Sequence, residues 1–157
     1  MHKILNPKTA VIGSSGFLGR HFYGTYQSLY PQTIGTTLLG QEHRLDLMHP
    51  FLGGLPLKGY EYCVIAAARA NLPLCEIDKT VTYRCKVTGT LEIARQLVQR
   101  EITPILFSSD YVFDGVSGSY TEEDRLTPLN EYGRQKAALE QNIRDACGDN
   151  FLLLRLS

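Results

Sequence analysis

The sequence has no net charge: 16 Lys and Arg balance 16 Asp and Glu over 157 residues. A neutral chain has no long-range field with which to gather a polyanion, so neither nucleic acid nor an anionic membrane is an expected partner. No apolar run approaches the roughly 20 residues that a membrane helix needs. The segment Met1 to Lys8 is mixed and polar, and it reads as no signal peptide. Cysteine is sparse and scattered. Cys63, Cys75, Cys85 and Cys147 form no Cys-x-x-Cys pair and meet no histidine cluster, so no metal site is expected. They read as reduced, mostly buried thiols of a cytoplasmic protein. Internal repeats and low-complexity segments are absent too. What remains is an ordinary globular composition, long enough for one domain with a real core, taken as residues 1–157.

Within it, strand-like and helix-like stretches alternate. Thr9–Ile12, Thr33–Leu39, a short His43–Leu47, Tyr62–Ala68, Thr103–Phe107 and Phe151–Leu156 are rich in β-formers and read as six strands. Leu18, Phe22, Tyr26 and Leu29 carry a helical stripe that stops before Pro31. The longest helix is expected over Asp78–Arg100, where Val87, Leu91, Ala94 and Val98 share a face. A last helix is expected over Glu131–Cys147, stopped by Gly148. Pro50–Gly59 and Val116–Pro128 read as loops. Alternation of this kind predicts an α/β fold: a doubly wound parallel sheet with helices on both faces, three layers deep. Ligands then belong at the carboxyl ends of the strands.

Three motifs fall at those ends. Gly13, Gly16 and Gly19 are spaced Gly-x-x-Gly-x-x-Gly between a strand and a helix. Glycine lets the chain turn sharply and approach a pyrophosphate, which the helix N-terminus then receives. The region Gly35 to Gly40, where an acid would hold the ribose hydroxyls of NAD, has none. That leans the cofactor towards NADP over NAD, with Arg20 or Arg44 as partner for a 2′-phosphate. Asp46, in Leu45-Asp46-Leu47, reads equally as an acceptor for an adenine amino group and as a turn aspartate. The second motif is Ser108-Ser109, at the end of the fifth strand. The third is Tyr132 with Lys136, four apart on one face of a helix. An ammonium beside a phenol favours the phenolate, so Tyr132 could give a proton to a carbonyl oxygen that the Ser109 hydroxyl holds. Tyr-x-x-x-Lys is common by chance; its weight comes from following a glycine turn and a serine-ended strand, in that order.

Over nearly its whole length the sequence resembles an extended short-chain dehydrogenase/reductase. The likeness rests on Gly13-Ser14-Ser15-Gly16-Phe17-Leu18-Gly19, Asp46-Leu47, Ala66-Ala67-Ala68, Ser108 to Gly115, and Pro128 to Lys136. Within that superfamily, Ser-Ser-Asp-Tyr-Val-Phe-Asp-Gly is similar to the signature of the dTDP-4-dehydrorhamnose reductases. The resemblance implies a Rossmann-type sheet, NAD(P)H as hydride donor and a nucleotide-sugar ketone as substrate. It makes Ser109, Tyr132 and Lys136 the catalytic residues. It places the cofactor along Gly13, Ser15, Gly16, Phe17, Leu18 and Gly19, then Asp46 and Leu47, then Ala66, Ala67 and Ala68, with Tyr132 and Lys136 at its reactive end. A homo-oligomer is left open. Two departures stand out. Lys86 occupies the place of an asparagine that supports the active site in the family's long helix. And the chain stops after Leu153-Leu154-Arg155-Leu156-Ser157, where family members go on to a lobe that grips the sugar nucleotide. Those departures keep an alternative in view: a non-catalytic, nucleotide-binding regulatory module, or a truncated fragment of such an enzyme.

Overall fold

The computed structural model describes residues 7–39, 43–67 and 71–157. Five strands, β1 (Thr9–Ile12), β2 (Gly35–Thr36), β3 (Tyr62–Ile65), β4 (Thr103–Ser109) and β5 (Leu152–Leu156), form one sheet in the order β2-β1-β3-β4-β5. Every pairing is parallel. The helices are α1 (Phe17–Leu29), α2 (Leu72–Ile77), α3 (Lys79–Tyr83), α4 (Thr90–Val98) and α5 (Glu131–Cys147), and a π turn at Arg84–Gly89 joins α3 to α4.

Strands β1, β3 and β4 are buried on both faces because their residues alternate between two cores. Ala10, Ile12, Cys63, Ile65 and Leu106 point into one, where Ile93, Ala94 and Leu97 of α4 and Leu139 and Ile143 of α5 meet them. Val11, Val64 and Phe107 point into the other, packed by Leu18, Phe22 and Tyr26 of α1. Helices on both faces of a parallel sheet give the three expected layers. On β5, Leu153 packs on the larger core while Leu152, Leu154 and Leu156 are exposed.

Four expectations are corrected. Among the described residues there are five strands, not six. His43–Leu47 makes only one parallel bridge, Thr37 to Arg44, before turning away. The Asp46 carboxylate accepts from the Met48 N–H at 2.9 Å, and its carbonyl accepts from the His49 N–H, so the chain turns instead of extending. The expected second strand shrinks to Gly35–Thr36, and Leu39 beyond it is exposed. The long helix also begins one residue late. Asp78 is a cap, its carboxylate accepting from the Val81 N–H at 3.1 Å, and a separate helix, α2, precedes it. In the other direction, β4 runs two residues further than expected, so Ser108 and Ser109 lie inside the strand.

Candidate functional site

The sheet order reverses at β1, which lies between β2 and β3, and the glycine turn leaves β1 at that point. Gly13 has φ +83°, and a Cβ there would come within 2.6 Å of the Ala67 backbone. Only glycine fits both demands. The Gly13 and Ser14 N–H groups donate to the Thr36 carbonyl, tying the turn to β2. Gly19 packs against the Gly13 carbonyl where any side chain would overlap it, so the first turn of α1 lies directly on the loop. Gly16 caps α1 without a side-chain acceptor, so the first N–H groups of the helix remain available to an anion.

Beside the turn lies a cleft of about 510 Å³. Gly13, Ser15 and Gly16 form one wall, Asp46 and Leu47 another, and Ala66 and Ala67 close the β3 end. The fourth side comes from α2, α3 and the π turn, with Lys86 among its residues. Seven of the residues expected along a cofactor thus converge here. Five others do not line it: Tyr132 and Lys136, together with Phe17, Leu18 and Gly19. Phe17 is 73% exposed, edge-on to His21 with the Arg20 guanidinium over its ring. Leu18 packs into the core under α1, and Gly19 is buried behind the turn. Ala68 lies outside the described residues. Asp46 makes the turn bond and also lines the cleft. Neither Arg20 nor Arg44 lines it.

At the margin of the cleft stands the second group. Ser109 ends β4, and its hydroxyl donates to the Asp110 carboxylate at 2.9 Å. Asn130 caps α5 by accepting from the Gly133 N–H at 2.8 Å, which sets Tyr132 in the first turn. Gly133 lets that turn sit on the Tyr111 carbonyl, where a Cβ would clash. Tyr111 then meets Tyr132 edge-on, with ring centroids 5.7 Å apart. Lys136 reaches the Phe107 carbonyl of β4 at 2.8 Å. The ammonium groups of Lys86 and Lys136 lie 4.4 and 5.8 Å from the centre of the Tyr132 ring.

Burial pushes the Tyr132 phenol above its usual range, and a hydrogen-bonding contact with Ser109 pulls the other way. Burial, with the Lys86 charge behind it, brings Lys136 down to about 8, against the pull of Glu140. Burial thus brings a lysine near a phenol to titrate just above neutral pH, an arrangement suited to moving a proton. Sequence reasoning missed Cys75, whose sulfur accepts from the Lys86 ammonium at 2.9 Å. Its signal was present in Asn71-Leu72-Pro73, an N-cap followed by a first-turn proline that opens α2. Among the described residues no group of three or more His, Cys, Asp or Glu could hold a metal, and no helix is long and apolar enough to cross a membrane.

Comparison with known proteins bears on this geometry. A model of the RmlD substrate binding domain family matches residues 8–157. The chain is 29% identical over 153 residues to the Mus musculus protein called methionine adenosyltransferase 2 subunit beta, covering 87% of this chain and 44% of that one. It is 28% identical over 148 residues to the dTDP-4-keto-6-deoxy-D-glucose reductase of Streptomyces niveus, covering 92% and 50%. The chain therefore spans about half the length of these relatives. Among solved structures, the dTDP-4-dehydrorhamnose reductase of Bacillus anthracis in complex with NADP superposes with a TM-score of 0.81 over 95% of this chain and 52% of that one. At 19% identity, that likeness is one of fold.

Proposed function

The chain belongs to the RmlD substrate binding domain family, and from that premise we propose that it holds NADPH or NADH along the glycine turn and reduces the ketone of a nucleotide sugar of the dTDP-4-dehydrorhamnose type. The carrying observation is one of placement. Lys86 lines the cleft at the glycine turn and also touches the Tyr132 ring, so the phenol stands where that cleft ends. Residues 1–157 act as the cofactor-binding unit in this reading.

The residues fit a dinucleotide. Gly13 and Gly16 leave the backbone bare, and the uncapped start of α1 faces a pyrophosphate. Asp46 would receive the adenine, and Ala66 and Ala67 would lie along the cofactor; all three line the cleft. NADPH is the favoured form, because no acid ends β2 to hold an unphosphorylated ribose. When bound, the nicotinamide supplies a hydride to the carbonyl carbon. The Ser109 hydroxyl donates to the carbonyl oxygen, and Tyr132 passes its phenolic proton to that oxygen as negative charge develops there. Lys136, anchored on the Phe107 carbonyl, offers its ammonium to the ribose and its charge to the phenol. The Streptomyces niveus reductase supports the substrate class.

A thermal-shift titration with NADPH and NADH tests the cofactor. Ligand at a hundredfold over its dissociation constant should stabilise the fold by about 2.7 kcal/mol. A flat response to both sinks the reading. Turnover is followed by loss of nicotinamide absorbance with dTDP-4-dehydrorhamnose as substrate. Tyr132→Phe and Lys136→Met should each lose about 10²–10⁴-fold in kcat, and normal rates in both would remove the proposed roles.

The likeness to the Mus musculus subunit favours a second reading, a nucleotide-binding regulatory module. It calls for cofactor binding without turnover and a stable complex with a catalytic methionine adenosyltransferase chain on size-exclusion chromatography. Measurable reduction with no such complex would discard it.

A further inference from the structure

The π turn carries Lys86 inward until only 4% of the residue is exposed. A buried ammonium is costly unless something receives its charge. None of the ion pairs among the described residues includes Lys86. Two groups receive it instead. The Cys75 sulfur of α2 accepts its hydrogen at 2.9 Å, and the face of the Tyr132 ring lies 4.4 Å away. Lys136, the partner expected from the Tyr-x-x-x-Lys spacing, is further from the same ring at 5.8 Å, and a backbone carbonyl holds it. Of the two ammonium groups, Lys86 is therefore the nearer to the centre of the Tyr132 ring.

We propose that Lys86 is a positioning residue for Tyr132: its ammonium clamps the face of the ring and favours the phenolate. This deepens the reductase reading and rests on it for the role of Tyr132. The physics is differential. A cation over a neutral ring gains from the quadrupole, and it gains more once the ring carries a negative charge. The clamp thus costs little in the resting state and strengthens as the proton leaves, which is the requirement for promoting proton transfer. The lysine in place of the family's asparagine then serves the proton relay.

Several charged groups set the balance. Cys75 from α2, and Asp110 and Tyr111 from the turn after β4, oppose ionisation of the phenol. Lys136 and Glu140 of α5 complete the set, with Lys86 and Lys136 repelling each other. Removing Lys86 therefore has a two-part signature. Tyr132 loses a cation and becomes a weaker acid. Lys136 loses a like charge and becomes a stronger base. Simple loosening of the packing would instead hydrate both groups, making Tyr132 a stronger acid.

Tyrosine labelled with ¹³C at the ζ carbon reports this by NMR without turnover, the Tyr132→Phe spectrum identifying the signal. Lys86→Met should move the Tyr132 titration to higher pH and lower kcat about tenfold or more. Lys86→Arg, which keeps the cation over the ring, should restore most of both. Lys86→Gln, which keeps a donor for Cys75, gives the same reading should Lys86→Met lose its fold. A Tyr132 titration that stays in place or falls in the folded variant, or a failure of arginine to restore it, would overturn the proposal. Normal turnover in Tyr132→Phe would instead overturn the reductase reading and leave the titration result standing, so the two failures are distinguishable.

Discussion

Replacing Lys136 by methionine should stabilise the fold at neutral pH. An unfolded lysine titrates near 10.5, and in the folded chain burial and the Lys86 charge bring Lys136 to about 8. The gap of about two and a half units corresponds to roughly 3 kcal/mol at 1.36 kcal/mol per unit. Its sign is opposite to that of a lysine in a favourable ion pair. Between pH 8 and 10.5 the unfolded chain holds a proton that the folded chain has released, so wild-type stability rises with pH across that window. Below pH 8 the wild type bears the full cost of a charged, buried group. Methionine removes that cost but leaves the Phe107 carbonyl without its donor, an offset of about 1–2 kcal/mol. The net gain for Lys136→Met near pH 7 should be on the order of 1–2 kcal/mol. Urea denaturation of both chains at a series of pH values yields a difference curve in which shared titrations cancel. The advantage of the variant should shrink by roughly 3 kcal/mol between pH 7 and 11. A difference independent of pH over that range would refute the assignment of Lys136 as a buried, depressed lysine. A wild type more stable than the variant at pH 7 would refute the energetic argument.

Other substitutions test the frame around the site. Gly13→Ala forces a side chain into a left-handed conformation against the Ala67 backbone. It should cost about 1–3 kcal/mol by thermal denaturation and remove the NADPH-induced shift. Arg155→Gln breaks a two-oxygen ion pair with Glu140, whose side chain is only 6% exposed, and removes the guanidinium stacked over Phe113. Leaving that carboxylate unpaired should cost about 2–4 kcal/mol in urea denaturation at pH 7, and an unchanged midpoint would show that the pair is dispensable.

The parts of the fold legible in the sequence are those whose signals are local. β1, α1 and α5 each pair an unbroken apolar pattern with a punctuating residue, and their observed limits fall within a residue or two of expectation. The glycine turn was legible for the same reason: Gly13 and Gly19 answer to steric demands within ten residues of themselves or directly across β3. His43–Leu47 misled because Leu45 and Leu47 alternate as a strand would and are indeed buried. Their burial comes from packing the loop over the core, while the hydrogen bonds go to the Asp46 turn. Phe17 misled in the opposite way, occupying a motif position yet pointing to solvent. Lys86 was visible as a departure from the asparagine of the family it resembles, but not its surroundings, since Cys75 and Tyr132 come from segments 11 and 46 residues away in sequence.

The π turn explains how so much converges on one short segment. A wide turn has poorer hydrogen-bond geometry than α-helix and persists only where something compensates for it. Here it must meet two demands at once. Gly89 has to lie against the Leu47 carbonyl, where any side chain would overlap, and this contact holds the Leu45–Met48 wall of the cleft in place. Lys86, three residues earlier, has to reach past the cleft to Cys75 and the Tyr132 ring. Val87 and Thr90 are buried from the same stretch, so the inward face is wider than the stripe a regular helix presents. A straight helix could satisfy the core through Ile93, Ala94 and Leu97 alone. The widened turn thus presents both part of the cleft wall and the Lys86 contact with Tyr132 from one segment. The cleft beside the glycine turn and the Tyr132 ring are in this way joined through one segment, with Gly89 against Leu47 and Lys86 against Tyr132.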